Sequence, residues 1–196
     1  MKPTTRVHGL LLAGGRSSRM GQDKAELAHP DGRSLVRRTA DLLREAGCAS
    51  VVLSLRHDQE IPAGMNGFEI VRDPEGGSGG PLAGMLAGMA SHPSDDWLVV
   101  ACDLPRLDVE TLSTLIDSAT ADDVFLAYRS EFDGLPEPLC AWYSSASRTV
   151  LEDAMAADFR CPRKVLIRNA CRLLEPVTPR ALDNANTPED WQNALA

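Results

Sequence analysis

The stretch Leu10–Lys24 reads LLLAGGRSSRMGQDK. It closes an apolar run, Val7–Leu12, that breaks at Gly14-Gly15. A continuous apolar run, rather than an alternating one, marks a strand buried on both faces, as parallel sheets require. The strand therefore feeds a glycine loop, and that loop carries Arg16, Arg19 and Lys24 in a chain whose net charge is -8. Positive charge is gathered here against the overall balance.

Working outward, strands and helices alternate. Ser34–Ala46 predicts a helix with Leu35, Val36, Leu42, Leu43 and Ala46 on one face and Arg37, Arg38 and Arg44 on a solvated one, stopped by Gly47. Val51–Leu55 and Phe68–Val71 read as strands, and Pro81–Ala90 as a helix with proline in its first turn. Trp97–Ala101 is a further uninterrupted apolar strand, ending in Cys102-Asp103. Asp108 caps a helix through Ile116. Val124–Tyr128 and Leu139–Tyr143 are later strands, Ser147–Ala157 is helical, and Thr187-Pro188-Glu189-Asp190 opens a last helix. This order predicts an α/β chain, one domain over 1–196, with a mostly parallel sheet covered by helices on both faces.

The excess of acid argues against nucleic acid or an anionic membrane as a partner, since both are repelled on average. No apolar run is long enough to span a bilayer, and the first residues lack a signal-peptide core. The cysteines, five and scattered without a Cys-x-x-Cys pair, read as reduced thiols of a cytoplasmic protein. His8, His29, His57 and His92 lack ligand spacing and are expected at the surface or in turns. Phe125, Trp142 and Tyr143 are expected in the core.

In a sheet of this kind ligands bind beyond the carboxyl ends of the strands. The glycine loop, Asp73 and Asp103 all fall on that edge. The loop matches neither the Walker nor the dinucleotide fingerprint. Its glycines nevertheless allow successive N–H groups to converge, and its cations suit phosphate oxygens. A solvated turn with ordinary surface charge is the plain alternative. A carboxylate at a strand tip, such as Asp103, suits Mg²⁺ bridging to substrate phosphates; the alternative is a carboxylate capping nearby N–H groups. Asp73 reads either as a second such group or as a turn residue before Pro74.

Four stretches together resemble the molybdenum cofactor guanylyltransferases, a branch of the Rossmann-like nucleotidyltransferases. They are LLAGGRSSRMGQDKAEL (Leu11–Leu27), GGPLAGMLAGM (Gly79–Met89), WLVVACDLP (Trp97–Pro105) and LDNANTPED (Leu182–Asp190). The resemblance implies a three-layer α/β fold and transfer of GMP from GTP to the terminal phosphate of molybdopterin, releasing pyrophosphate. It implies that Leu12, Ala13, Gly14 and Gly15 lie against the nucleotide and that Arg19 and Lys24 hold its phosphates. Asp103 would hold Mg²⁺, and Asp73 would lie beside the nucleotide, near the metal. Gly80, Pro81, Leu82, Ala83 and Gly84 would wall the site. Asn184 and Asn186 would lie on the pterin side or close the metal site; as residues alone they are turn formers before a capped helix. Arg163 or Lys164, in CPRKVLIRN, would meet the pterin phosphate, or else form the solvated face of a helix whose Val165, Leu166 and Ile167 are core. Partners implied are GTP, molybdopterin and the molybdoenzymes or delivery proteins that receive the product.

The pattern departs from the family near Ser54, where many relatives carry an asparagine, and at Glu137 before Pro138, where the guanylyltransferases often carry histidine. Base choice is thereby open between guanylyl and cytidylyl transfer. Transfer to another small-molecule phosphate and a non-catalytic cofactor carrier are the more distant alternatives.

Overall fold

The computed structural model describes residues 5–15, 24–74 and 80–195. Arg16, Arg19 and Gly21 lie outside the described residues. The backbone of the described chain is organised by one seven-stranded sheet. Its strands are β1 (Val7–Leu12), β2 (Val51–Leu55), β3 (Glu69–Arg72), β4 (Asp96–Ala101), β5 (Phe125–Arg129), β6 (Pro136–Tyr143) and β7 (Arg172–Leu174), in the order β3-β2-β1-β4-β6-β5-β7. The pairs β1–β2, β1–β4, β2–β3 and β5–β7 are parallel; β6 runs antiparallel to both β4 and β5. The expected mostly parallel sheet is thus found, with one reversed strand near its middle.

Alternate residues of the same strands feed two cores. Leu11, Leu53, Leu98 and Val100 face α1 (Leu35–Glu45) and α3 (Val109–Ser118), where Val36, Leu43, Leu112 and Leu115 meet them. Leu10, Val52 and Val99 face the other layer, formed by α2 (Gly80–Met89), α4 (Ser147–Ala156) and α5 (Pro162–Arg168). The central strands β1, β2 and β4 are therefore buried from both sides, which is why their sequences show no polar alternation. The three-layer α/β architecture follows. Phe125, Trp142 and Tyr143 are core, as expected. Asp108 caps α3 by accepting from the Thr111 N–H at 2.8 Å. The last helix, α6, is Pro188–Leu195.

Some elements differ from the sequence expectation. The basic stretch at 163–168 does form a helix, α5, but Ile167 is 47% exposed rather than core. Its turn of helix buries Val165 and Leu166, and a third consecutive residue falls outside that arc. Arg38 is not merely solvated: its Nη2 donates to the Leu107 carbonyl at 2.7 Å and its Nε faces Asp31. Arg37 pairs with Asp41 one turn on and, like Arg44, stacks over the Phe68 ring. No helix among the described residues is long and apolar enough to cross a membrane.

Candidate active site

β1, β2 and β4 end side by side, and the residues that follow them line a cleft of about 870 Å³. That volume lies within the range of small-molecule sites. From β1 come Leu12, Ala13, Gly14 and Gly15; from the turn after the loop, Lys24; from the ends of β2 and β3, Ser54, Arg56, Asp73 and Pro74. Gly80, Pro81 and Gly84 of α2 form a wall; Asp103 after β4, Leu139 of β6 and Asn184 also line the cleft, with His57 and Asp58 after β2 and Ala101 and Cys102 at the end of β4. Of the residues singled out in the sequence, the sheet edge therefore gathers the glycine pair, Lys24, Asp73, the α2 start, Asp103 and Asn184 in one place.

The wall is built for close approach. A Cβ on Gly84 would stand 2.4 Å from Ser54 Oγ and 3.4 Å from Asp73 Oδ1, so the helix rests directly on the strand tips. A Cβ on Gly14 would meet the Arg56 backbone nitrogen at 3.2 Å. Gly80 has φ +58°, the left-handed region that side chains avoid, which lets the chain turn sharply into α2.

The charged groups are arranged around Lys24. Its Nζ donates to Asn186 Oδ1 at 2.7 Å and to Asp103 Oδ2 at 3.3 Å. The other oxygen of Asp103, Oδ1, is buried and has no hydrogen-bond partner. A buried carboxylate oxygen without a partner is costly unless a cation or donor arrives to meet it. A hard divalent ion such as Mg²⁺ takes oxygen ligands of this type and shares them with substrate phosphates, so the residues present fit such an ion. Burial pushes the Asp73 carboxyl above its usual range, and the nearby Arg56 guanidinium only partly opposes this. A desolvated carboxylate beside a cation on the edge of a cleft is a candidate for a functional position.

Arg56 and Gln59 were not singled out in the sequence. Arg56 donates from Nη1 to the carbonyls of Gly14 and Gly15 at 3.2 and 3.0 Å, and Gln59 donates to the Ala13 carbonyl at 3.0 Å. Together they fix the start of the glycine loop. Polar residues directly after an apolar strand, LRHDQ here, are the signal that would have found them.

Arg163 and Lys164 are not among the residues that line the cleft. Arg163 is held by Asp133 at 2.8 Å and by Glu137 at 3.0 Å, and Lys164 is exposed. His29, His57 and His92 lie in turns or at the surface as expected, but His8 departs from expectation. His8 is buried and stacks on His92 with centroids 4.1 Å apart and planes 7° from parallel, while its Nε2 lies 3.0 Å from Asp95. This cluster sits at the opposite, amino end of the strands. Parallel stacked rings cannot direct both in-plane lone pairs at one ion. None of the five cysteines is in a disulfide, and burial pushes the Cys48 and Cys171 thiols up to about 12, which makes them poor nucleophiles.

Residues 9–175 match the family model of the MobA-like NTP transferase domain. The chain belongs to the MobA-like NTP transferase family. It is thus a nucleotidyltransferase. It is 34% identical to a molybdenum cofactor guanylyltransferase of Pseudomonas putida, covering 94% of this chain and 95% of that protein. It is also 34% identical, over 95% of its length, to a molybdenum cofactor biosynthesis bifunctional protein of Synechocystis, of which it spans about half, 53%. The fold is shared with the molybdopterin-guanine dinucleotide biosynthesis protein A of Archaeoglobus fulgidus, at TM-score 0.72 and 23% identity, over 95% of this chain and 96% of that one. The MobA-like family matches the resemblance read from the four sequence stretches.

Proposed function

We propose that this nucleotidyltransferase moves GMP from GTP onto the terminal phosphate of molybdopterin, with Mg²⁺ held at Asp103. The observation that carries the reading is the pairing of Lys24 with a half-orphaned Asp103 at the mouth of a nucleotide-sized cleft. The guanylyltransferase identity of the Pseudomonas relative supports the choice of base and acceptor.

The chemistry asks for positioning more than for proton transfer. The acceptor phosphate oxygen is already ionised and forms the new bond to the α-phosphorus of GTP. The α–β anhydride bond breaks, and pyrophosphate leaves with the electron pair. No general base is required. The backbone around Gly14 and Gly15, braced by Arg56, orients the nucleotide. The α2 wall holds it against Ser54 and Asp73, and the Lys24 ammonium faces the charge that builds on the phosphates. Arg19 is assigned to the same phosphates. Asn184 lies on the acceptor side. When bound at Asp103, Mg²⁺ supplies further neutralisation of phosphate charge. Pre-aimed charge of this kind is commonly the largest contribution to phosphoryl and nucleotidyl transfer.

The test is a thermal-shift panel with Mg²⁺ and each of GTP, CTP, ATP and UTP, followed by pyrophosphate release with molybdopterin present. A ligand at a hundred times its dissociation constant adds about 2.7 kcal/mol, and each kcal/mol moves the Tm of a chain this size by about 2–4 °C. A shift confined to GTP, and turnover dependent on Mg²⁺, are expected. A shift confined to CTP would replace guanylyl by cytidylyl transfer. Nucleotide binding without turnover would refute the catalytic reading.

A further inference from the structure

The segment Asn184–Asp190 is fastened more firmly than a cleft-lining loop needs. Ala185 N–H donates to the backbone carbonyl of Asp103 at 3.0 Å, tying the segment to the end of β4. Asp190 Oδ2 accepts from the N–H groups of Asn186 and Thr187 at 3.0 and 2.8 Å, and the Asp190 N–H donates back to Thr187 Oγ1 at 3.1 Å. This reciprocal cap fixes the backbone of residue 186 from both sides. The side chain so fixed does not serve the cap. It extends its amide oxygen to Lys24 Nζ at 2.7 Å, shorter than the 3.3 Å from Lys24 to Asp103.

From this geometry we infer that Asn186 is a positioning residue for Lys24, not a contact for the acceptor. The inference rests on the nucleotidyl-transfer reading of the cleft. Its physical basis is the neutrality of the partner. Lys24 lies between two acceptors. Pairing with the carboxylate in place of the amide would draw the ammonium onto the group proposed for the metal and offset the charge of both. An amide oxygen anchors the ammonium as firmly in direction while leaving its full positive charge available to phosphate. The long, flexible lysine stem loses rotamer freedom before the nucleotide arrives, which lowers the entropic cost of the reactive arrangement. Asn186 is thus suited to the task where aspartate, of the same shape, is not.

Two variants and two readouts test this. The first readout requires no substrate: the rate of Lys24 acetylation by an N-hydroxysuccinimide ester in metal-free protein, followed by peptide mass spectrometry with exposed Lys164 as the internal reference. Asn186→Ala is expected to speed modification of Lys24 several-fold. Asn186→Asp, which restores the oxygen, is expected to return it to the wild-type rate or below. The second readout is steady-state transfer with GTP and molybdopterin. Asn186→Ala is expected to lower kcat by about tenfold to a hundredfold with the KM for molybdopterin unchanged. Asn186→Asp is expected to raise the KM for GTP through its added negative charge, despite the restored hydrogen bond. Unchanged Lys24 labelling in Asn186→Ala overturns the inference, whatever the reaction. So does a raised molybdopterin KM with kcat intact, which would make Asn186 an acceptor contact. If wild-type protein fails to turn over GTP and molybdopterin, the proposed reaction fails. The labelling result then still decides whether Asn186 holds Lys24.

Discussion

Replacing Gly84 with alanine separates what the α2 wall does for stability from what it does for the site. The new methyl would stand 2.4 Å from Ser54 Oγ and 3.4 Å from both Asp73 Oδ1 and Leu12 Cδ2. Comfortable heavy-atom contact begins near about 3.5 Å, so roughly 1 Å of space must be found. Ser54 is only 2% exposed, and turning its hydroxyl off-rotamer costs about 0.5–1.5 kcal/mol. Lifting α2 instead is overpacking, at about 1–3 kcal/mol. Against either, alanine gains about 1 kcal/mol over glycine inside a helix. The net loss is therefore about 0–2 kcal/mol, and the Tm falls by no more than about 8 °C. The site fares worse. A displacement of about 1 Å beside a reacting group is enough to cost about a hundredfold in rate. Calorimetry and initial rates of pyrophosphate release give the two numbers. Gly88→Ala, one turn along, is the counterpart: its methyl meets fully buried Leu10 at 2.4 and 2.8 Å and no residue of the cleft. It is expected to show the larger fall in Tm and the smaller loss of rate. A Gly84→Ala protein with wild-type turnover would refute the argument that this wall seats the nucleotide.

Lys24→Ala and Asp103→Ala are each expected to lose about a hundredfold or more in turnover while keeping their far-ultraviolet circular dichroism, and a wild-type rate in either removes that residue from the machinery. Asp73→Asn is expected to raise the Tm of ligand-free protein at neutral pH. Burial raises the Asp73 carboxyl, so its ionisation opposes folding above the carboxylate range, and the difference from wild type should vanish as pH falls below about 4. Asp123 behaves in the opposite sense. Its hydrogen bonds with Arg172, at 2.6 and 2.7 Å, hold the carboxyl down to about 2. The resulting stabilisation is fully present above about pH 5 and is lost as pH falls through about 2, so Asp123→Asn should be less stable than wild type at about pH 6 and should match it only towards about pH 1 in urea titrations.

The sheet was legible because burial on two sides leaves a strong trace in sequence. Val7–Leu12 and Val51–Leu55 were read to the residue, since each is an apolar run bounded by turn formers. Arg172–Leu174 carries no such trace, being a three-residue edge strand with one residue exposed and two half-buried. At the site, topology alone brings the ends of β1, β3 and β4 to one edge, so Gly14, Asp73 and Asp103 could be grouped in advance. What could not be read is how side chains choose among nearby partners. Arg163 had a phosphate or open solvent as its expected surroundings and is instead held by Asp133 and Glu137. His8 and His92, 84 positions apart in sequence, stack because one follows α2 and the other begins β1 at the same amino edge. Arg56 braces carbonyls, a task that leaves no motif beyond a polar residue directly after an apolar strand.

The bond between Lys24 and Asn186 joins residues 162 positions apart. A ribosome that has released the first strands and helices has therefore made a chain able to pair β1 with β2 and β4, but one whose lysine lacks its neutral anchor. Long-range closures of this kind come late because their entropic cost is met only after the intervening structure has formed. Competence for transfer is expected to lag behind formation of the sheet during synthesis, so that a growing chain is folded at its centre before it is poised to react.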